Sequence, residues 1–127
     1  MYLSKFTFVV FFVKKLLIFF YLKNFCSFNK LIENLKTKVN QHQQIKHNNK
    51  INYLFKTLKI FKIENCLTFS YMAKIFFNEF GIESVFFIGV KKTDGIISSH
   101  SWVHMNGKNY QPKIVDLNEY DVILKVL

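Results

Sequence analysis

Cys66 and His100 are the two side chains whose types and order suit covalent catalysis. The first opens the stretch CLTFSYMAKIFFNEFG and the second lies in SHSWVHMNG. A thiol with its ordinary pKa, about 8.5, is only slightly ionised at neutral pH. The N-terminus of a helix and a neighbouring imidazolium both favour the thiolate. A cysteine at a helix start with a histidine from a later strand therefore suits a nucleophile and its general base, joined by folding. The free N–H groups of the same helix start could hold the oxyanion of a tetrahedral intermediate. A third group should fix the imidazole ring, and Gln111 and Asp116 are the candidates.

These residues need a helix and a sheet to carry them. Asn65 is placed to cap a helix beginning at Cys66, and Gly81 marks its end. Apolar residues cover most of this helix, so it is expected to be central and heavily packed. Its one polar line, Ser70, Lys74 and Asn78, extends back to Cys66 and suggests an accessible thiol. Residues 84–90 read as a strand buried on both faces, and KKTDG at 91–95 as a turn. From Ser99 to Met105 alternation places His100, Trp102 and His104 on one face. Asn106–Gly107 predicts a type I′ hairpin, with Met105 facing Lys108, His104 facing Asn109 and Trp102 facing Gln111. Pro112 should end or bend that strand. Residues 115–127 suit a further strand or a short helix.

Each candidate also has a structural reading. A lone cysteine is commonly a small buried hydrophobe, a strand histidine is commonly structural, and Trp102 suits a core. His100 and His104 share a face but stand about 13 Å apart along a strand, too far for one tetrahedral zinc with Cys66. Neither a metal nor a cofactor is expected. Cys26 and Cys66 are too few for a disulfide framework, and no CxxC occurs, so free thiols in a reducing compartment are the expectation.

The first half of the chain differs in character. Residues 1–63 carry 12 lysines against a single acid, Glu33, and the whole chain has a net charge of +10 with no arginine. Without guanidinium forks a nucleic-acid partner is not expected, whereas a lysine-rich face suits an anionic membrane or an acidic peptide. Residues 6–22 form the most apolar stretch, but Lys14 and Lys15 interrupt it, each costing about 2.5–3.5 kcal/mol near a bilayer centre. A buried or interface-lying helix fits better than a span, and no small-residue cleavage site marks a signal peptide. Phe28, Leu31, Ile32 and Leu35 predict a helix capped by Ser27. Residues 37–50, with His42 and His47, read as a polar connection, and Ile51, Leu54, Phe55 and Leu58 restore helical spacing. The chain is expected to be one domain, 1–127, with an apolar and basic helical part at 1–40, a polar loop at 41–50 and a catalytic core at 51–127.

The Cys-Leu at a helix start, GIESVFFIGV and HSWVHMNG together resemble the lasso-peptide leader peptidases, the transglutaminase-like cysteine protease domains of microcin-processing proteins. That family has a Gly-Ile/Val-Pro-Ala segment leading to a Val-Ile-Gly-Val strand, then His-Ala-Trp-Val-Glu before a glycine turn. The match covers about residues 50–112. The resemblance implies an α+β, transglutaminase-like (papain-like) fold: N-terminal helices, a central helix with the cysteine, and a small antiparallel sheet with the histidine. Cys66 matches the family's nucleophile and His100 its base. Ser101 stands in place of the usual alanine and His104 where glutamate is common. Gln111 and Pro112 occupy the neighbourhood of the expected acid, with Asp116 four residues beyond Pro112.

The implied function is removal of the leader peptide from a ribosomally made lasso-type precursor. Two alternatives stand beside it, a transglutaminase-like acyl transferase using the same pair, and a non-enzymatic, membrane-associated scaffold organised by residues 6–22. The partners implied are the precursor's leader, a separate leader-recognition protein and an ATP-dependent macrocyclase. The place implied is the bacterial cytoplasm, with membrane-surface contact through residues 6–22 left open.

Overall fold

Among the described residues, helical spacing and strand alternation resolve into four α-helices and four strands: α1 (Lys5–Phe25), α2 (Phe28–Leu35), α3 (Asn48–Ile60), α4 (Cys66–Glu79), β1 (Val85–Thr93), β2 (Ile96–Met105), β3 (Lys108–Tyr110) and β4 (Asp121–Val126). The structure, a computed structural model, describes residues 5–25, 28–36, 48–63 and 65–127. The expectations for Cys26, Ser27, His42 and His47 fall outside those residues. The chain divides into two compact units, Met1–Asn34 and Leu35–Leu127.

The second unit is built on an antiparallel sheet in the order β3-β2-β1-β4. Two tight turns create its centre. Asp94 and Gly95 have φ of 51° and 80°, and Asn106 and Gly107 have 51° and 77°. Positive φ at both central residues is the type I′ geometry that matches strand twist. The Asn106–Gly107 turn sets the expected register, Met105 against Lys108 and His104 against Asn109. The turn after β1 is shorter than KKTDG suggests. Lys91, Lys92 and Thr93 continue the strand, paired with Ser98, Ile97 and Ile96, because Asp94–Gly95 alone supplies the reversal. The tail holds both elements considered for it, a 3-10 turn at Leu117–Glu119 followed by β4.

One face of this sheet receives α3 and α4. Val103 pairs with Tyr110, and the Tyr110 ring lies 5.8 Å from that of Phe77 in α4 and 5.0 Å from that of Phe55 in α3. Phe55 in turn stacks on Phe69 at 5.7 Å. The helix-facing side thus carries Ser101, Val103, Met105, Phe86 and Val126, all buried. His100, Trp102 and His104 alternate with them and belong to the other side.

The helix α4 starts and stops where its sequence directs. Asn65 Oδ1 accepts from the Leu67 and Thr68 amides at 3.0 and 3.2 Å. Gly81, at φ 69°, closes the far end, where the Ile82 amide donates to the Phe77 carbonyl and the Gly81 amide to that of Asn78. This is the double bond of a Schellman motif, which favours glycine at the left-handed position.

In the first unit α1 runs through the two lysines that divide its apolar sequence. Lys15 Nζ lies 5.1 Å from the centre of the Phe11 ring, and Lys23 Nζ 6.0 Å from that of Phe19. Among the described residues no helix is long and apolar enough to cross a membrane.

Candidate active site

Cys66 is the first residue of α4, half-buried, with a free thiol. Its backbone environment is narrower than a bare helix start. The Asn65 side chain occupies the Leu67 and Thr68 amides, and the Phe69 amide donates to the Asn65 carbonyl at 2.9 Å. Of the first-turn donors, the Cys66 amide lies outside both the cap and the helical ladder.

His100 sits in the middle of β2 and is buried. Its Nε2 is 2.7 Å from Gln111 Oε1. Gln111 Nε2 donates in turn to the Val115 carbonyl at 3.4 Å, which turns the amide oxygen toward the ring. An oxygen can only accept, so the ring carries its proton on Nε2 and leaves the Nδ1 lone pair for other work. Gln111 lies just past the end of β3, where Pro112 begins a bend. Asp116, the other candidate, is engaged elsewhere: its carboxylate caps the 3-10 turn by accepting from the Asn118 amide at 3.1 Å. His104 bonds Asn109, Nδ1 to Oδ1, at 2.7 Å. Among the described residues no hydrogen bond joins Cys66 to His100, and no group of residues is arranged to hold a metal ion.

The ring of His100 is enclosed by aromatic neighbours whose placement depends on a glycine. Trp102 lies 6.1 Å away at 21° and Tyr120 5.6 Å away at 40°, while Phe87 stacks on Trp102 at 5.4 Å. Gly89 pairs with His100. A Cβ there would stand 2.9 Å from Tyr120 Cβ and 3.0 Å from Trp102 Cη2, so the close approach of both rings requires a residue without a side chain. Lys91 secures Tyr120 from above, with Nζ 5.1 Å from its ring centre and 3.1 Å from Glu119. Neither Gly89 nor Tyr120 stands out when residues are sorted by chemistry. The glycine inside an apolar strand was the available signal.

The polar line on α4 behaves differently from its expectation. Ser70 and Lys74 are both completely buried, not solvated. Lys74 reaches the start of β1, donating to the Ser84 carbonyl at 2.7 Å and to its hydroxyl at 3.2 Å. Burial pushes its pKa down to about 8, with Glu83 acting in the opposite sense. Lys74 thus uses its polarity in internal hydrogen bonds, whereas the Ser70 hydroxyl is buried with no hydrogen-bond partner among the described residues. The half-exposure of Cys66 therefore comes from its terminal position, and not from that line.

The model of the transglutaminase-like superfamily matches residues 26–125. No curated protein and no solved structure matches the chain.

Proposed function

The chain belongs to the transglutaminase-like superfamily, and on that footing we propose that it is a cysteine peptidase that removes the leader from a ribosomally made, lasso-type peptide precursor. The observation that carries this reading is the Gln111-held tautomer of His100, which leaves Nδ1 as a base. A superfamily of cysteine-dependent chemistry and a half-buried thiol at a capped helix start supply the rest.

The proposed reaction requires the start of α4 to reach the His100 side of the sheet; His100 Nδ1 then takes the proton of Cys66, and the sulfur attacks the scissile carbonyl. A C–S bond forms as the carbonyl π bond opens, and the Cys66 amide donates to the resulting oxyanion. Collapse breaks the C–N bond, and the imidazolium returns its proton to the departing amine. Water then attacks the thioester, with His100 accepting its proton, and hydrolysis frees the carboxylate and restores the thiol. Gln111 orients the ring but brings no charge to an imidazolium, a difference from an acid at that position. A separate leader-recognition protein would present the substrate, and an ATP-dependent macrocyclase would take the released core.

The same pair acting on a glutamine carboxamide would expel ammonia, and the resulting thioester resolved by an amine would make an acyl transferase, which superfamily membership supports equally. Mass spectrometry of a precursor incubated with the protein separates the two: leader lost with water added, or amine gained with ammonia released. Cys66→Ala should abolish either product while leaving the circular dichroism unchanged. Continued turnover by that variant defeats both readings.

A further inference from the structure

The parity of hydrogen bonding along β2 exposes a second feature beside His100. Two-residue loops make their flanking residues hydrogen-bonded pairs, here Thr93 with Ile96 and Met105 with Lys108. Along an antiparallel strand such pairs recur at every second residue. Ile96, Ser98, His100, Trp102 and His104 therefore direct their N–H and C=O toward β1, and Ile97, Ser99, Ser101, Val103 and Met105 direct theirs to the opposite side. On that side β3 takes Val103 and Met105 and ends at Tyr110. Among the described residues no other strand borders β2 there. Of the three residues left over, Ser101 is buried, while Ile97, 71% exposed, and Ser99, also exposed, offer two N–H and two C=O groups outward from the sheet.

We propose that this margin takes an extended peptide as an added strand, in line with β3 and running past His100. The proposal rests on the peptidase reading and names how its substrate is held. Sheet edges are normally blunted by charges, proline or a bulge. The other edge of this sheet is so protected: β4 carries Asp121 and Lys125, and its pairing with β1 is irregular between Ile88 and Gly89. The segment Ile96–Ser101, IISSHS, has no proline and no carboxylate or lysine. An unprotected edge next to the site's own histidine fits a surface kept open for main-chain pairing. A second copy of the chain is a poorer occupant, since each carries a net charge of +10.

The test uses isotope-labelled Cys66→Ala protein titrated with a capped, β-prone probe, acetyl-Thr-Val-Glu-Val-Thr-Glu-amide. The expected result is saturable shifts and slowed exchange of the Ile97 and Ser99 amides, with Ser98 little changed. N-methylation of alternate probe residues should weaken binding at least about tenfold, the effect of losing two hydrogen bonds. Ser99→Pro should do the same, because its N–H points away from β1. If that variant does not fold, the N-methylated probe still decides. Shifts confined to other residues, equal binding of the methylated probe, or concentration-dependent pairing of the protein through this edge overturns the proposal. Incubating the probe with unmodified protein keeps the two readings apart. Cleavage without any effect at Ile97 and Ser99 removes the edge alone, while edge pairing without cleavage under any condition counts against the peptidase.

Discussion

His100 and Gln111 are joined by a 2.7 Å hydrogen bond between Nε2 and Oε1, across a turn and eleven residues of sequence. The bond fixes which nitrogen of the ring is basic, and it does so without a charge. If Gln111 acts as an orienting residue, its substitution should move a pH profile as well as a rate. Gln111→Ala is expected to lower kcat/KM by roughly tenfold to a hundredfold, a share of what general acid–base catalysis contributes. Gln111→Glu should shift the alkaline limb to higher pH, since a carboxylate stabilises the imidazolium. Unchanged limbs in both variants would assign Gln111 a packing role only.

Catalysis by Cys66 and His100 requires their side chains to converge on one carbonyl. In a Cys26→Ser background, His100→Cys should form a disulfide with Cys66 on mild oxidation, detected by peptide mass mapping. Such a bond needs Cα atoms within about 7 Å of each other. Failure to cross-link under denaturant-free conditions, with the fold intact, would separate the two residues and end the catalytic account.

Ser101 stands where the resembled family has alanine, and its hydroxyl is buried with no hydrogen-bond partner among the described residues. Burial of an unpaired hydroxyl is costly. Ser101→Ala should raise unfolding stability by about 1 kcal/mol, read as a higher denaturant midpoint at constant slope. A lower midpoint would mean that the hydroxyl has a partner in solution.

Lys74 gives the protein a pH dependence of known sign. Its folded pKa is lowered from 10.5 to about 8, chiefly by burial. Between those values the unfolded chain holds a proton that the folded chain has released, so stability rises with pH. Below about 8 both states are protonated and the burial penalty is fully present. The increment of stability between pH 8 and 10 should be larger in the unmodified protein than in Lys74→Met. Equal increments would show that Lys74 titrates normally.

Local chemistry determined much of this architecture in advance. Asn65 and Gly81 fix the limits of α4 because a side-chain acceptor and a left-handed residue satisfy the orphan groups of a helix regardless of context. Asn106–Gly107 fixes the β2–β3 register for a similar reason: the turn conformation selects its residues. Helical and alternating patterns likewise placed α2, α3 from Ile51 onward, and β2. The start of α3 at Asn48 escaped notice because its first turn is polar.

Longer-range packing decided the rest. Sequence left Gln111 and Asp116 equal as partners for the imidazole, since nothing local tells which side chain returns across a bend. The tertiary structure spends Asp116 on a helical cap and turns Gln111 to the ring. It also buries Lys74 against Ser84, although a lysine on a helix normally signals solvent. Gly89 acquires its importance only when Tyr120 arrives from the end of the 3-10 turn. In each case the sequence specifies what a residue can do, and the neighbours that determine what it does are brought from elsewhere in the chain by burial of the shared core.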